Sequence, residues 1–214
     1  MGLSSALTDA ATPLVADAST IINLVASGVA PAILRALPHR VVVVDVVGAE
    51  LETARARGRT TLDGFRDLVA AGMLDVVALP ERGAVYFEGL VVGSATQTLD
   101  DGEAATVAYA LIRPAIALID ERKATRMCGE RFPQLTLAST VDVFCHAEVQ
   151  RQLGAGALGA AVYNALREAR MSVLSHQLDW IVRLIGAERA AACGSLPRRV
   201  RSAYTDSGDG QALR

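Results

Sequence analysis

The chain has 214 residues, of which 51% are hydrophobic, and a formal net charge of −2. With a mean hydropathy of +0.32, this composition supplies a full hydrophobic core, which argues against a disordered protein. The chain has no excess of basic residues of the kind typical of a dedicated nucleic-acid binder. No apolar run approaches the roughly 20 residues of a membrane-spanning helix and no signal peptide is recognised, so we predict a cytoplasmic protein without a membrane partner.

Strands and helices alternate over the first 150 or so residues of the chain. Apolar runs predict five buried strands, at residues 14–16, 39–44, 74–79, 115–119 and 135–138. Helical spacing of apolar residues predicts the elements between them, at 19–27, 31–37, 45–57, 61–71, 84–92, 104–112, 121–128 and 139–153. This alternation predicts an α/β protein with a central parallel sheet and helices on both sides, which is a three-layer α/β/α fold.

The pattern changes beyond residue 153. The triplet Gly154-Ala155-Gly156 is expected to end the preceding helix, and two further helices are predicted at 157–169 and 175–191. Residues from 196 onward include Pro, Gly, Ser, Asp and several Arg. We therefore predict an α/β domain at 1–153, a helical C-terminal extension at 154–195 and a flexible tail at 196–214.

Four carboxylates fall where parallel strands end. Asp17 and Asp120 each follow an apolar strand directly, and Ser19 is positioned to cap the helix after the first of them. Because the carboxyl ends of parallel strands meet at one edge of the sheet, the two acids face the same crevice if both strands are central. Glu50 and Glu103 are expected in the first turns of helices that begin at that edge.

Clustered carboxylates raise one another's pKa and need a compensating positive charge. Mg²⁺ and Mn²⁺ provide it, because they prefer oxygen ligands. Each acid also has a purely structural alternative. Asp17 and Asp120 suit helix N-caps, and Glu50 suits an exposed helix position. Asp100 and Glu103 have the spacing of a capping box. The joint pattern of all four acids favours a single site.

The order of these motifs resembles that of the PIN domain. The elements are Val-Ala-Asp17-Ala-Ser19, Val-Val-Gly-Ala-Glu50-Leu, Leu-Asp-Asp-Gly-Glu103-Ala and Ile-Asp120-Glu-Arg-Lys-Ala, and the resemblance covers roughly residues 13–150. It implies a doubly wound α/β fold. Since many PIN domains are metal-dependent ribonucleases, it also implies RNA hydrolysis with Mg²⁺ or Mn²⁺. VapC-type toxins belong to the same family, so a toxin role and an antitoxin partner are further implications.

The resemblance assigns roles to individual residues. The acids that it makes catalytic and metal-binding are Asp17, Glu50, Glu103 and Asp120, with Asp142 as a further metal ligand. The hydroxyl residues that it places beside these ligands are Ser19, Ser139 and Thr140. The basic residues that follow Asp120 on the next helix are candidates for contact with substrate phosphates, the alternative being a solvated helix face; they are Arg122, Lys123 and Arg126.

Two other functions compete with the ribonuclease. One is a catalytically inactive PIN-like scaffold that binds protein or RNA, in which the C-terminal helices form a homodimer or receive an antitoxin peptide. The other is a phosphoacceptor-aspartate or phosphatase fold, which also places acids at strand ends. That fold needs a lysine late in the sheet, and Lys123 is the only lysine of the chain, so it ranks last.

Overall fold

The computed structural model describes residues 7–56 and 63–205. Five parallel strands form one sheet: β1 (Leu14–Ala16), β2 (Val41–Val44), β3 (Asp75–Val77), β4 (Ile116–Leu118) and β5 (Leu137–Ala138). Their order across the sheet is β3-β2-β1-β4-β5. In the register, Leu14 of β1 lies opposite Val41 on one side and Ile116 on the other. All five predicted strands are therefore present, each shorter than or equal to its predicted range.

Twelve α-helices lie within the described residues. They are α1 (Ala18–Ala26), α2 (Ala30–Ala36), α3 (Asp45–Ala56), α4 (Asp63–Ala70), α5 (Ala84–Val91), α6 (Asp101–Ile112), α7 (Arg122–Arg131), α8 (Thr140–Cys145), α9 (Ala147–Glu168), α10 (Leu178–Ile185), α11 (Ala187–Ala192) and α12 (Arg198–Thr205). Short 3₁₀ turns precede α5 and α10. The predicted end of α3 at residue 57 and the predicted start of α4 at 61 lie outside the described residues.

The strands send alternate side chains to two separate cores, as the two-residue period of a strand requires. Val41 and Val43 join the core that contains α1–α4 and α8–α11, whereas Val42 and Val44 join the core that contains α5–α7. Leu14 and Val15 divide in the same way. The sheet is thus covered on both faces, and the predicted three-layer α/β/α architecture is confirmed.

The helices after β5 differ from the prediction. A single helix was expected over 139–153, but α8 ends at Cys145, and α9 begins at Ala147 after the extended residue His146. The predicted break at 154–156 is confirmed: Gly154 is non-helical (φ 68, ψ 162) and separates two helical stretches that together make up α9. Gly186 (φ 84) separates α10 from α11, where one continuous helix was expected.

The C-terminal helices share the core of the sheet. Leu158 and Val162 of α9, and Ile181 and Ile185 of α10, belong to the same buried cluster as Leu14. Residues 198–205 form α12, where an irregular tail was expected, and the remainder of that tail, 206–214, lies outside the described residues. The division of the chain at residues 153 and 195 stays a prediction.

The strand order creates a topological switch point between β1 and β4. From β1 the chain moves to β2 and β3 on one side, then crosses to β4 and β5 on the other. In open α/β sheets, ligands bind in the crevice at the carboxyl ends of the strands that flank such a point. This is where the strands leading to Asp17 and Asp120 end, side by side.

No single helix in the described parts of the chain is long and apolar enough to cross a membrane. The pair α1 and α2 reaches that length and composition only together, with a bend of 112° between the two helices.

Candidate acidic active site

Asp17 lies at the junction of β1 and α1 and is 3% exposed. Its Oδ1 accepts a hydrogen bond from the backbone N–H of Thr20 (2.7 Å), and its Oδ2 accepts one from Ser19 Oγ (2.7 Å). Asp17 is therefore the N-cap of α1, and the expectation that Ser19 caps this helix is wrong, because Ser19 already lies inside the first turn. The backbone N–H of Asp17 donates to Leu118 O of β4 (3.2 Å), which joins the two strand ends.

Asp120 follows β4 and is also 3% exposed. Its carboxylate accepts hydrogen bonds from the backbone N–H of Thr140 (2.8 Å), from Thr140 Oγ1 and from Asn23 Nδ2 (2.7 Å). The N-cap of α7 is Glu121, whose carboxylate accepts from the backbone N–H of Ala124 (2.7 Å). Asp120 is thus not a helix cap: α1 and α8 hold its carboxylate at the switch point.

Glu103 serves the start of α6 and also faces the crevice. Its backbone N–H donates to Asp100 Oδ1 (2.8 Å), and its own carboxylate accepts from the backbone N–H of Asp100 (3.4 Å), so the capping box is present. The side chain is nevertheless buried and lines the crevice beside Asp17. Glu50 lies in the second turn of α3 instead of the expected first turn, and it lines the same crevice.

The crevice has a volume of about 210 Å³ and is strongly acidic. The residues that line it are Asp17, Ala18, Ser19, Ile22, Glu50, Asp100, Gly102, Glu103 and Glu121. Five of these described residues are acids and none is basic. A second pocket of about 270 Å³ adjoins the crevice, sharing Ser19 and Glu121 with it, and Asp120 lines this second pocket.

Burial and mutual repulsion raise the pKa of the central acids. Burial raises the pKa of Asp17 to about 7, and the negative charge of Asp120 adds to the effect. The pKa of Glu103 also rises to about 7, first through burial and then through the charge of Asp100, with smaller contributions from Glu121 and Asp17. Asp17 and Glu103 therefore act on each other electrostatically although 86 positions separate them along the chain (103 minus 17).

The two remaining acids of the predicted quartet shift in the same direction. Burial raises the pKa of Asp120, and the hydrogen bonds from Thr140 and Asn23 oppose this rise by stabilising the ionised form. For Glu50, burial and then the charges of Asp100 and Asp101 raise the pKa. No described basic residue lines the crevice that holds Asp17, Glu50 and Glu103, whereas Asp120 lines the second pocket together with Arg122 and Arg170.

The hydroxyl residues and Asp142 form a layer behind Asp120. Ser139 caps α8 in a capping box with Asp142, whose Oδ2 accepts from both the Ser139 backbone N–H (2.9 Å) and Ser139 Oγ (2.6 Å). Gln177 Nε2 donates to Ser139 Oγ (2.8 Å). Asp142 lines neither the crevice nor the adjoining pocket, so in this structure it lies behind the strand-end acids.

The three predicted phosphate contacts lie in different surroundings. Arg122 lines the second pocket, and its Nη2 donates to Val173 O (2.9 Å). Lys123 Nζ donates to Ala95 O (3.1 Å). Arg126 is exposed on α7 and lines neither pocket. Of the three predicted phosphate contacts, only Arg122 therefore lines a pocket with acids of the site, namely Asp120 and Glu121.

The donor chemistry of the crevice fits a hard divalent cation. Carboxylate oxygens are the ligands that Mg²⁺ and Mn²⁺ prefer, and no described basic residue lines the crevice to offset the acids. Among the described residues, no three acidic, His or Cys side chains converge closely enough to hold one ion without rearrangement. Mg²⁺ in particular is often held by one or two carboxylates, with waters and substrate phosphate completing its shell.

Together, the doubly wound fold and the acidic crevice at its switch point define an α/β protein with a nuclease-type architecture. A family model described as a PIN domain matches residues 13–185. The chain therefore belongs to the PIN-domain family, whose members are generally nucleases and typically use divalent metals. The match extends past the expected limit near residue 150 and includes α9 and α10. Comparisons with curated proteins and with solved structures gave no match.

Several residues of this region were not expected from the sequence. Asn23 orients Asp120, Asp100 and Glu121 add to the acidity of the crevice, and Gln177 supports Ser139. The sequence did indicate Asn23, because it is a polar residue within the apolar run 21–25 and lies one turn after Ser19 on α1. For the contact of Gln177 with this region there was no indication in the sequence, since Asp142 and Ser139 lie 35 and 38 positions away in the chain.

Proposed function

We propose that this protein is a metal-dependent ribonuclease that hydrolyses the phosphodiester bonds of RNA. One observation carries the proposal: the carboxylates of Asp17, Glu103 and Asp120 are buried at the switch point with raised pKa values, and no described basic residue lines the crevice. Desolvated like charges are costly to a folded protein, and groups of this kind concentrate at functional sites.

The proposed metal ligands are the four acids Asp17, Glu50, Glu103 and Asp120. When bound, Mg²⁺ or Mn²⁺ supplies an activated water and stabilises the charge that develops on the phosphate. The protein contributes orientation: Ser19 and the Thr20 N–H hold Asp17, while Asn23 and Thr140 hold Asp120. For Asp142, predicted as a further ligand, its position favours a supporting role behind Asp120.

The proposed biological setting is a toxin–antitoxin pair in the cytoplasm, with this chain as a homodimeric toxin and a protein antitoxin as its partner. This setting rests on family membership alone. The toxin role requires that expression of the wild type arrests growth and that expression of Asp17→Asn does not. It also requires that co-expression of the adjacent reading frame relieves the arrest.

The ribonuclease itself is tested with purified protein and with both single-stranded and structured RNA. We expect cleavage with Mn²⁺ or Mg²⁺, none with EDTA, and a rate at least about 100-fold lower in Asp17→Asn and Asp120→Asn. Asp67→Asn removes an exposed acid on α4 and should cleave like the wild type. Cleavage that persists in EDTA, or in both site variants, would exclude the proposed mechanism.

The second candidate is an inactive PIN-like scaffold that binds protein or RNA. It is favoured by one observation: the carboxylate of Asp120 is already occupied by three hydrogen-bond donors, and no three described ligand side chains converge on one point. Calorimetry distinguishes the two functions. A scaffold gives neither heat of Mn²⁺ binding nor RNA cleavage, whereas the nuclease gives both.

A further inference from the structure

Arg170 is the only described non-glycine residue with a positive φ, which is 56°. It follows the C-terminus of α9, where the backbone N–H of Met171 donates to Ala165 O (3.1 Å) across the helix end. A left-handed residue directly after a helix C-terminus is usually glycine. A side chain with a Cβ is strained there, so the fold alone does not explain an arginine.

Arg170 lines the pocket that adjoins the acidic crevice. The same pocket is lined by Arg122, Asn23 and the buried Asp120. Arg170 is exposed, and its guanidinium forms no ion pair or hydrogen bond with any other residue in the described ranges. It is therefore a free positive charge within the pocket that contains one of the strand-end acids.

Arg122 fixes the position of this segment. Its Nη2 donates to Val173 O (2.9 Å), which ties the chain after α9 to the first residue of α7. Two guanidinium groups thus border a pocket of about 270 Å³ that shares Ser19 and Glu121 with the acidic crevice. The crevice is lined by five acids and no base, whereas in this neighbouring pocket two acids, Asp120 and Glu121, are matched by the two arginines.

We propose that Arg170, assisted by Arg122, binds a backbone phosphate of the RNA next to the phosphate that is cleaved. This inference rests on the proposed ribonuclease function and assigns a positioning residue to it. An acidic crevice repels RNA, and an adjacent pair of arginines compensates for that repulsion. The planar guanidinium suits the task because it donates two parallel hydrogen bonds to phosphate oxygens.

The test measures RNA binding in EDTA, where metal-dependent cleavage is absent. Fluorescence anisotropy of a labelled single-stranded RNA is recorded at salt concentrations between about 25 and 150 mM. This range is wide enough to determine the slope of log K against log salt concentration. Relative to the wild type, Arg170→Gln should weaken binding roughly tenfold and reduce the slope of log K against log salt by about 0.7, the value for one phosphate contact on a single strand. Arg170→Lys keeps the charge and should retain most of that slope.

Two further variants separate binding from folding and from net charge. Arg170→Gly should lose the same affinity while its Tm stays equal to that of the wild type or rises by about 2–4 °C, because glycine suits the left-handed position. Arg113→Gln removes one positive charge at the opposite edge of the sheet, just before β4, and should bind RNA as the wild type does.

The outcomes are distinguishable from those of the ribonuclease proposal. If the wild type cleaves RNA with Mn²⁺ but Arg170→Gln binds like the wild type, the assignment of Arg170 is wrong and the ribonuclease stands. Equal losses in Arg170→Gln and Arg113→Gln also overturn it, because they indicate a net-charge effect. A wild type that neither binds nor cleaves RNA overturns both.

Discussion

The carboxylate of Glu50 lies against the Cα of Gly102, so closely that a Cβ at position 102 would be 2.6 Å from Glu50 Oε2. Such a Cβ would be within ordinary contact distance of Val47 and Asp100. The glycine of the Leu-Asp-Asp-Gly-Glu element therefore leaves space for an acid that arrives from a different helix. Through this contact, the start of α6 sets where the carboxylate of α3 can lie in the crevice.

Gly102→Ala is expected to move the Glu50 carboxylate without unfolding the protein. The clash is with the end of a flexible side chain, and alanine favours a helix over glycine by up to about 1 kcal/mol. We therefore expect an unchanged or slightly higher Tm and a rate of RNA cleavage about 10–100-fold lower, the range found when the support of a metal ligand is altered. Thermal denaturation and a cleavage assay measure the two effects.

Two controls test whether this effect passes through Glu50. In a Glu50→Gln background, Gly102→Ala should cause little further loss of rate, because the two changes then affect one group. Gly129→Ala is the matched substitution, since Gly129 is an exposed helical glycine of α7 with open space around its Cα. A Gly102→Ala enzyme as active as Gly129→Ala would show that the contact has no catalytic importance.

Asp17→Asn should stabilise the metal-free protein at pH 8. Burial raises the folded-state pKa of Asp17 to about 7 from an ordinary 3.8, so its ionised form destabilises the fold above that pH. Asparagine removes the charge, and its Oδ1 still accepts from the Thr20 N–H. We expect a Tm in EDTA at least about 2 °C above that of the wild type, which corresponds to about 1 kcal/mol in a chain of this size. A lower Tm would mean that the capping carboxylate is structurally required.

Asp120→Asn should behave differently from Asp17→Asn. Three donors, from Thr140 and Asn23, surround the Asp120 carboxylate, and an amide would place its own N–H₂ against at least one of them. A buried donor that loses its acceptor costs about 1–3 kcal/mol. In the same EDTA denaturation, Asp120→Asn should therefore unfold at a lower temperature than Asp17→Asn. Equal Tm values would contradict the hydrogen-bond arrangement.

The acids were predictable because the signals that place them are local. An apolar run followed directly by an acid marks a strand end, and the sheet order places β1 next to β4, so Asp17 and Asp120 share the switch point. Glu50 and Glu103 were placed at the same edge by the predicted starts of their helices, and the family resemblance added their roles. The capping alternative for Glu103 is confirmed, and the same residue lines the crevice, so its predicted metal-binding role stays a prediction.

The parts that the sequence did not predict depend on tertiary contacts. Nothing in the helical spacing around His146 indicates that α8 ends there, whereas the break at Gly154 was predicted from the glycine itself. The left-handed backbone of Arg170 is a further case, because a glycine at that position would have indicated it and an arginine does not. Its importance appears only when its pocket is placed beside Asp120.

Gln177→Leu should destabilise the layer behind Asp120. The side chain is fully buried, donates to Ser139 Oγ (2.8 Å) and accepts from the backbone N–H of Leu174 (3.0 Å). Leucine fills a similar volume but leaves that N–H without its acceptor, which should lower the stability by about 1–3 kcal/mol. Urea denaturation measures the change. Gln152→Leu, on the exposed surface of α9, is the control and should change the stability by less than about 0.5 kcal/mol.

The three cysteines should be unreactive in the native protein. All are buried, and burial raises the pKa of Cys128 to about 11, that of Cys145 to about 12, and that of Cys193 above its ordinary value. Because the thiolate is the reacting species, labelling by a disulfide reagent at pH 8 should be much slower than in denaturant, where all three react. Rapid labelling of a native thiol would contradict the described burial.

The stabilisation by Mn²⁺ should increase with pH through neutrality. The folded-state pKa values of Asp17 and Glu103 are about 7, above ordinary values of 3.8 and 4.5, so the folded state binds more protons than the unfolded state between about pH 4 and pH 7. Their contribution to stability is present below that window and is lost as the pH rises through it. A bound cation restores the stability lost at higher pH. It does so only where the acids are ionised, because protons compete with the cation for the same oxygens. The rise in Tm on adding Mn²⁺ should thus be larger at pH 8 than at pH 5.5, and small at both values in Asp17→Asn and Glu103→Gln. A rise that is equal at both pH values would place the metal away from these two carboxylates.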